Sequence, residues 1–285
     1  MYMAMDMPAK KLHNTSKIGS DILMTKTFRN DFFDLAGKLK RKESFAFSRF
    51  SDGEMLIMQN KRLIIDTNVA YVHDHWGQGN WGPEEHKSFD PDKDGQLRDK
   101  LLEAFKHQQR NYYKGICCRC CVGEENWNWQ FEHISREEPY LTWANLFLNG
   151  NYRIYMDYVV PLMKEYPVVM VCNKLAKLDK LPFHVVKDFR VGKNCHIADQ
   201  SLISEIHRWV EENQIMGYLF LFSAASLTNL IIHDLYKNFP NNTYLDIGST
   251  LNPMMDLNGW KGSRDYLRGY WMNEKNVLSE KLCVW

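Results

Sequence analysis

The sequence predicts an α/β protein: a single domain with a mostly parallel sheet and helices on both faces. Short apolar runs that suit buried strands alternate with amphipathic stretches along most of the chain. Residues 168–172 are apolar throughout, as in a strand that is covered on both faces of a parallel sheet. The chain has 285 residues and contains no internal repeat and no evident linker, which favours one domain.

The individual elements follow from the same pattern. Apolar residues at helical spacing predict a first helix over residues 28–41, and the apolar run 45–50 predicts the first strand. Further strands are predicted over residues 113–122, 168–172, 183–186, 218–222 and 244–247, with a short buried segment at 143–148. Further helices are predicted from residue 55 and over 96–108, 152–166, 201–214 and 226–237. Residues 72–94 and 124–140 are predicted to be long aromatic loops, and residues 1–26 a flexible leader before a domain at 27–285.

Composition and charge exclude some classes of protein. The 36 basic and 35 acidic residues leave a net charge of +1, which gives no support to nonspecific nucleic-acid binding. The most apolar stretch, residues 215–232, is interrupted by polar side chains and is better explained by a strand followed by a helix than by a membrane span. We therefore expect a soluble, cytoplasmic protein with no membrane span.

Four of the seven cysteines lie within residues 117–121, as Cys117, Cys118, Cys120 and Cys121. A zinc site would need further ligands, and the candidates Cys172, Cys195 and His133 are distant in the sequence. Small apolar cysteines also suit a buried strand, so a reduced structural segment is the simpler interpretation. A zinc-dependent interaction module remains the alternative.

The first strand leads into two carboxylates, Asp52 and Glu54, which are separated by Gly53. On an extended segment, side chains two residues apart face the same side, so both could bind one Mn²⁺ or Mg²⁺ ion. Arg49 and Ser51 immediately precede them and could bind a phosphate. The alternative is ordinary turn chemistry, with Glu54 opening the next helix.

Small and polar residues also follow two later strands. Ser223 and Ser226 border a strand-to-helix turn, where free backbone donors favour phosphate, although tight packing explains the turn equally well. Asp246, Gly248 and Ser249 follow the last strand and suit a sugar hydroxyl, with a helix cap as the alternative. Because ligands of parallel sheets bind outside the carboxyl ends of strands, all these turns are candidate site positions.

Further candidates for donor binding lie elsewhere in the chain. Asn173 and Lys174 follow the apolar strand at 168–172, and Arg264 and Arg268 are possible phosphate-binding arginines. Tryptophans in the predicted loops suit stacking on sugars or bases, although some must cover the core; they are Trp76, Trp81, Trp127 and Trp129. The sequence His73-Asp74-His75 suggests a metal but lacks a third ligand.

Four segments together resemble the GT-D-fold glycosyltransferases. They are residues 47–54 (FSRFSDGE), 142–149 (TWANLFLN), 221–230 (LFSAASLTNL) and 245–249 (LDIGS). The resemblance runs from about residue 44 to residue 270 and implies a Rossmann-like domain that transfers a sugar from a nucleotide sugar. In that family a D-x-E motif binds the divalent metal of a UDP-sugar, which maps here onto Asp52 and Glu54.

The resemblance therefore predicts a metal-dependent glycosyltransferase that uses a nucleotide-sugar donor, a UDP-sugar by family default, and Mn²⁺ or Mg²⁺. The acceptor hydroxyl would belong to a glycan or glycoprotein, and Asp246, Glu132 and His133 are candidates for the group that removes its proton. Two alternatives stay open. One is a noncatalytic nucleotide- or carbohydrate-binding protein of the same fold, and the other is a transferase that acts on a modified DNA base.

Overall fold

A seven-stranded, fully parallel sheet forms the centre of the protein. In the computed structural model, which describes residues 28–264 and 267–272, the spatial order of its strands is β7-β6-β1-β11-β10-β8-β9. The strands are β1 (Ala46–Arg49), β6 (Tyr112–Ile116), β7 (Leu141–Trp143), β8 (Val168–Asn173), β9 (Val185–Val191), β10 (Leu219–Ser223) and β11 (Thr243–Asp246). Strand β1 pairs with β6 on one side and with β11 on the other, so it is an interior strand of the sheet. The predicted α/β class with a parallel sheet is confirmed.

Both faces of the sheet are covered by apolar side chains. Along β10, Leu219 and Leu221 pack into one hydrophobic cluster, whereas Phe220 and Phe222 pack into the other. This alternation follows from the two-residue period of a strand. Helix α1 (Phe28–Arg41) packs on the first face, and helices α6 (Ser201–Glu212) and α7 (Leu227–Asn238) pack on the second. The prediction of helices on both faces is therefore confirmed.

Two of the remaining helices have twelve residues, and the others are short or irregular. These two are α3 (Gly95–Lys106) and α4 (Arg119–Gln130), and the short ones are α2 (Asp52–Met58), α5 (Cys195–Ala198), α8 (Trp260–Ser263) and α9 (Arg268–Trp271). The helix predicted over residues 152–166 is a succession of α, π and 3-10 turns at Tyr152–Ile154, Tyr155–Val159 and Val160–Glu165. No described helix combines the length and apolar character that crossing a membrane would require.

The predicted loop over residues 72–94 is wrong in part, because Val72, residues 75–78 and residues 87–89 belong to a second, antiparallel sheet. Its strands are β2 (Leu63–Ile65), β3 (Val69–Val72), β4 (His75–Gln78) and β5 (Lys87–Phe89), in the order β4-β3-β2-β5. The turn between β3 and β4 has two residues, His73 and Asp74, with φ values of 54° and 60°. Two positive φ values in a two-residue turn are typical of a tight hairpin. Residues 73–75 thus form the hairpin turn and the first residue of β4.

The predicted strand at 113–122 and the loop at 124–140 also need correction. The strand ends at Ile116, and helix α4 follows from Arg119 to Gln130, with a break at Gly123, where φ is 79° and ψ is 174°. Trp127 of this helix is buried and stacks on Trp143, with ring centroids 5.9 Å apart. Glycine and polar residues weaken the helical pattern, so the packing of Trp127 determines this helix more than local propensity does. The leader predicted for residues 1–26 lies outside the described residues, and the domain bounds 27–285 stay a prediction.

Candidate functional site

A cleft lies at the carboxyl ends of the central strands, between the two sheets. Its volume is about 1070 Å³, including the part that is open to solvent. It collects most of the predicted site residues, namely Arg49, Ser51, Asp52, Glu54, Asn173, Ser223, Asp246, Gly248 and Ser249. Four others do not line it: Gly53, Lys174, Ser226 and Arg268. The two further candidates for the base, Glu132 and His133, also lie outside its lining. The topology explains the position of the cleft, because ligand sites of parallel sheets form beyond the carboxyl ends of the strands.

Asp52 and Glu54 open helix α2, so the extended segment considered from the sequence is wrong and the turn-and-helix alternative is right. Ser51 is the N-cap residue, and Glu54 occupies the third helical position. The Oε2 atom of Glu54 accepts hydrogen bonds from the Ser51 backbone N–H at 3.2 Å and from its Oγ at 2.7 Å. This return of a glutamate to the N-cap is the capping-box arrangement. Both carboxylates nevertheless border the same cleft.

Glu54 also connects two strand-to-helix turns. Its second oxygen, Oε1, accepts a hydrogen bond from the Oγ of Ser226 at 2.7 Å. Ser226 is the N-cap residue of α7, and its side chain makes no cap hydrogen bond to that helix. Ser226 therefore contacts Glu54, which is 6% exposed, and the contact predicted between Ser226 and the donor stays a prediction.

The two carboxylates have opposite pKa shifts. Burial raises the pKa of Asp52, the charge of Glu54 adds to the rise, and Lys87 and Arg264 oppose it. Burial also acts to raise the pKa of Glu54, but Lys87 and the hydroxyls of Ser51 and Ser226 outweigh it, so the net pKa is lowered. Glu54 is thus a stabilised anion, and Asp52 is the group whose charge costs more to bury.

Arg49 and Asp246 form a buried unit between β1 and β11. The Asp246 carboxylate accepts hydrogen bonds from the backbone N–H groups of Arg49 at 3.3 Å and Gly248 at 3.0 Å, and its Oδ1 lies 3.7 Å from Nη1 of Arg49. The Nε of Arg49 donates to the carbonyl oxygen of Ala144 at 2.5 Å. Burial raises the pKa of Asp246 to about 6, although Arg49 acts against the rise.

Gly248 leaves room for the arginine. Its φ is 50°, a left-handed conformation that glycine adopts readily. A Cβ atom at this position would collide with the guanidinium of Arg49. The glycine predicted after the last strand therefore leaves the space that the guanidinium of Arg49 occupies.

The other predicted residues have different surroundings. Asn173 ends β8, and its Oδ1 accepts a hydrogen bond from the Leu175 N–H at 2.9 Å, which makes a local turn. The Oγ of Ser249 accepts a hydrogen bond from Nε of Arg264 at 2.5 Å, and Arg264 also lines the cleft. Lys174 is exposed.

Sequence reasoning missed the residues that the second sheet brings to the cleft. Lys87 of β5 lines it and acts on the pKa of both Asp52 and Glu54. Strand β5 is held there by the segment after β9, because Asn194 accepts a hydrogen bond from the Ser88 N–H at 2.8 Å and a ring nitrogen of His196 lies 2.9 Å from the Ser88 carbonyl oxygen. No local sequence signal marks Lys87, since its strand is only three residues long.

The tryptophans separate into different environments. Trp81 is buried and lines the cleft, whereas Trp127 belongs to the core. Trp76 lies on the edge strand β4 and is 64% exposed. Of the four, Trp81 is the one positioned to contact a ligand of the cleft.

The carboxylates suit a particular kind of metal site. Asp52 and Glu54 offer the oxygen ligands that Mg²⁺ and Mn²⁺ prefer, and nucleotide-dependent sites commonly use one or two carboxylates completed by phosphates and water. Across residues 28–264 and 267–272, no group of three or more His, Cys, Asp or Glu side chains is arranged to hold a metal. The residues fit an ion shared with a ligand and do not form a closed protein cage.

Three solved structures are similar to the chain. One is a selenomethionine-substituted domain of unknown function 1792, with 13% identity, 77% of each chain covered and a TM-score of 0.47. A second is described as the same domain with a distinct glycosyltransferase fold, with 13% identity, 76% of each chain covered and a TM-score of 0.45. A third is described as a new glycosyltransferase of this domain type from Streptococcus sanguinis, with 15% identity, 77% of this chain and 80% of that chain covered, and a TM-score of 0.49.

Two of the three descriptions thus name a glycosyltransferase or a glycosyltransferase fold. No protein-family model matches the chain, and no curated protein matches it.

Proposed function

We propose that the protein is a glycosyltransferase whose cleft binds a nucleotide sugar. The observation that carries the proposal is the convergence of two carboxylates with three cations in one cleft beyond the sheet. The two carboxylates are Asp52 and Glu54 of α2, and the cations are Arg49, Lys87 and Arg264. The carboxylates of Glu84, Glu85 and Asp246 line the same cleft. A diphosphate needs positive charge around it, and a shared divalent ion needs carboxylates beside it. Both requirements are met within the same cleft.

The cations have separate tasks. Arg49 is held by Ala144 and Asp246, so its guanidinium is oriented before any ligand binds. Lys87 comes from the second sheet and therefore approaches the cleft from another element than Arg49. A diphosphate bound between them would contact positive charge from two elements of the fold. Positive charge that is fixed in place before the reaction stabilises the diphosphate leaving group, because negative charge develops on that group during transfer.

The turn after β10 would supply backbone donors. Ser223, Ala224 and Ala225 line the cleft immediately before α7. Their side chains are small, so an anionic ligand can approach the first turn of this twelve-residue helix. This supports the phosphate role predicted for Ser223, with Ser226 acting through Glu54.

A divalent ion, Mn²⁺ or Mg²⁺, would supply further charge neutralisation of the diphosphate leaving group when bound. Asp52 and Glu54 would hold it. Glu54 is kept ionised by Lys87 and the two hydroxyls, so it is ready to serve as a ligand without losing a proton at neutral pH.

The donor in this proposal is a UDP-sugar, and the acceptor is a hydroxyl group of a glycan or glycoprotein. Asp246 is the candidate for removing the acceptor proton, and a pKa of about 6 is near the range that general bases use. Its two hydrogen bonds to backbone N–H groups also make it the residue that positions Arg49. Replacement by asparagine distinguishes these tasks, because Asp246→Asn retains an acceptor for Arg49 but not a base.

Thermal stabilisation by UDP, GDP and TDP sugars, measured with and without Mn²⁺, tests the proposal. We expect one class of nucleotide sugar to raise the melting temperature, and more so with Mn²⁺. The variants Asp52→Asn and Glu54→Gln should lose the Mn²⁺-dependent part and the turnover of the donor. The matched control is Asp157→Asn, which removes an exposed carboxylate on a helical segment outside the cleft. Full metal-dependent activity in both cleft variants would overturn the assignment.

The same experiment addresses the alternatives. Binding of a nucleotide sugar without hydrolysis or transfer to any acceptor would favour a noncatalytic binding protein. A transferase acting on a modified DNA base would instead bind DNA with an affinity that falls steeply as salt increases.

A further inference from the structure

The cysteine-rich turn has a feature that the proposed function does not use. The Sγ atoms of Cys118 and Cys121 lie 3.1 Å apart, and both cysteines are present as thiols. A disulfide has an S–S length of about 2.0 Å. The two sulfur atoms therefore need to approach by only about 1 Å to form a bond.

The backbone holds the pair in this arrangement. Cys118 is the extended residue before α4, with φ of −83° and ψ of 151°, and its carbonyl oxygen accepts a hydrogen bond from the Cys121 N–H at 3.0 Å. This turn brings the first and fourth residues of a Cys-X-X-Cys sequence to the same side. The break at Gly123 separates the turn from the rest of the helix, so a small adjustment of the turn does not require movement of the Trp127 side of α4.

The two thiols differ in accessibility. Cys118 is buried, at 3% exposure, whereas Cys121 is exposed. An exposed thiol beside a buried one suits a two-step exchange reaction, in which the exposed sulfur reacts with a reagent from solution and the buried sulfur resolves the product. Packing alone does not account for Cys121, because its side chain faces solvent.

The surroundings of the pair do not favour zinc. Structural zinc sites use four ligands, and among the described residues no third His, Cys, Asp or Glu joins these cysteines in a metal-binding group. Cys117, the preceding thiol, points elsewhere and donates to the carbonyl oxygen of Phe50 at 3.6 Å.

The pair lies next to the cleft. Asn145, in one of the segments that carry the family resemblance, has its Nδ2 atom 3.8 Å from the Sγ of Cys121. The contact of Cys117 with Phe50 places the same turn against the residues that precede Ser51 and Asp52. The thiols therefore lie beside the segment that leads into the cleft carboxylates.

We propose that Cys118 and Cys121 form a thiol–disulfide redox site that is oxidised by low-molecular-weight disulfides such as glutathione disulfide. The Cys121 thiolate attacks one sulfur of the reagent, which breaks its S–S bond and releases one glutathione thiolate. The Cys118 thiolate then attacks the Cys121 sulfur of the mixed disulfide, forms the internal S–S bond and releases the second glutathione. The two cysteines are oxidised, one glutathione disulfide is reduced to two thiols, and the protons of Cys118 and Cys121 pass to the glutathione thiolates through solvent.

Peptide mapping of the full-length protein tests this directly. The protein is incubated with glutathione disulfide, its remaining thiols are alkylated, and it is digested with trypsin without reduction. Trypsin cuts after Arg119, so Cys117 and Cys118 leave on residues 115–119, while Cys120 and Cys121 leave on residues 120–136. We expect these two peptides to be joined after oxidation and to separate on treatment with a reductant.

Four single variants identify the bonded pair. Cys118→Ser and Cys121→Ser should abolish the joined peptides, and Cys117→Ala and Cys120→Ser should retain them. Serine is a good N-cap residue, so Cys118→Ser keeps a suitable start for α4. Full alkylation of all cysteines after oxidation would overturn the proposal, as would a bond that persists in Cys121→Ser or stoichiometric zinc in the purified protein. The chemistry does not depend on sugar transfer, so its failure would leave the proposed function intact.

Discussion

Replacement of Ser226 by alanine is expected to destabilise the protein through Glu54. The change removes a hydroxyl that donates to Oε1 of Glu54 at 2.7 Å and makes no cap hydrogen bond to its own helix. Glu54 retains its hydrogen bonds from Ser51, but one carboxylate oxygen then lies buried without that donor. A hydrogen bond to a charged group contributes about 1.5–3 kcal/mol, so we expect the free energy of unfolding to fall by about this amount near neutral pH.

A double-mutant cycle with Glu54→Gln isolates the interaction. An amide at position 54 carries no charge, so the hydroxyl of Ser226 would make a neutral hydrogen bond worth about 0.5–1.5 kcal/mol. Alanine at position 226 should therefore cost about 1 kcal/mol less in the Glu54→Gln background than in the wild type.

The measurement is urea-induced unfolding followed by circular dichroism, with fits of the slope and midpoint for each variant. Ser201→Ala is the matched control, because it removes an exposed serine hydroxyl at the start of another helix, and exposed substitutions usually change stability by less than about 0.5 kcal/mol. A Ser226→Ala variant as stable as this control, or a fully additive cycle, would show that the two turns are not coupled through Glu54.

Three further predictions concern single buried or cleft groups. Lys87→Met should weaken the binding of a nucleoside diphosphate about tenfold or more, since the loss of one charged contact costs about 1.5–3 kcal/mol. The dissociation constant is measured by calorimetry. The control Lys100→Met changes a lysine outside the cleft and should bind the nucleotide as tightly as the wild type does. Lys114→Met should lower the free energy of unfolding by about 3–5 kcal/mol, because Lys114 and Glu138 form a buried ion pair at 2.7 Å. The double variant Lys114→Met with Glu138→Leu should recover part of this loss. A loss below about 1 kcal/mol in Lys114→Met would contradict the prediction. His196 is fully buried, and burial, with a smaller effect of Lys87, lowers its pKa to about 4. Between about pH 6.5 and pH 4, the unfolded chain therefore binds a proton at His196 and the folded protein does not. The free energy of unfolding should fall by up to about 3 kcal/mol over this range. Urea unfolding at several pH values measures this fall, and His196→Gln should remove it.

The parts of the fold that local patterns specify were predictable. The apolar run at 168–172 gave the position of β8, and the spacing of Phe32, Leu35 and Leu39 gave helix α1 from Phe28 to Arg41. The helix has one buried face with a helical period, whereas the strand is apolar along its length because both of its faces are buried. The second sheet was not predictable in this way, because strands of three or four residues with polar positions lack a sustained period.

The site was predictable to the extent that it lies at strand ends. Arg49 and Asp246 end two strands that are neighbours in the sheet, Asp52 and Glu54 follow the first of these strands, and all four residues line one cleft. Their individual arrangement was not predictable. The contact of Glu54 with Ser226 joins residues that are far apart in the sequence, so no local pattern could indicate it.

The sequence by itself determined the alternation of strands and helices, and with it the parallel sheet and the edge at which a site could form. Local periodicity suffices for this, because burial of one face is decided within each element. The tertiary structure alone decided that Lys87 of the second sheet lines the same cleft as Asp52 and Glu54, and that Ser226 donates a hydrogen bond to Glu54. These contacts join residues far apart in the chain, so their geometry and charge arise only when the elements pack together.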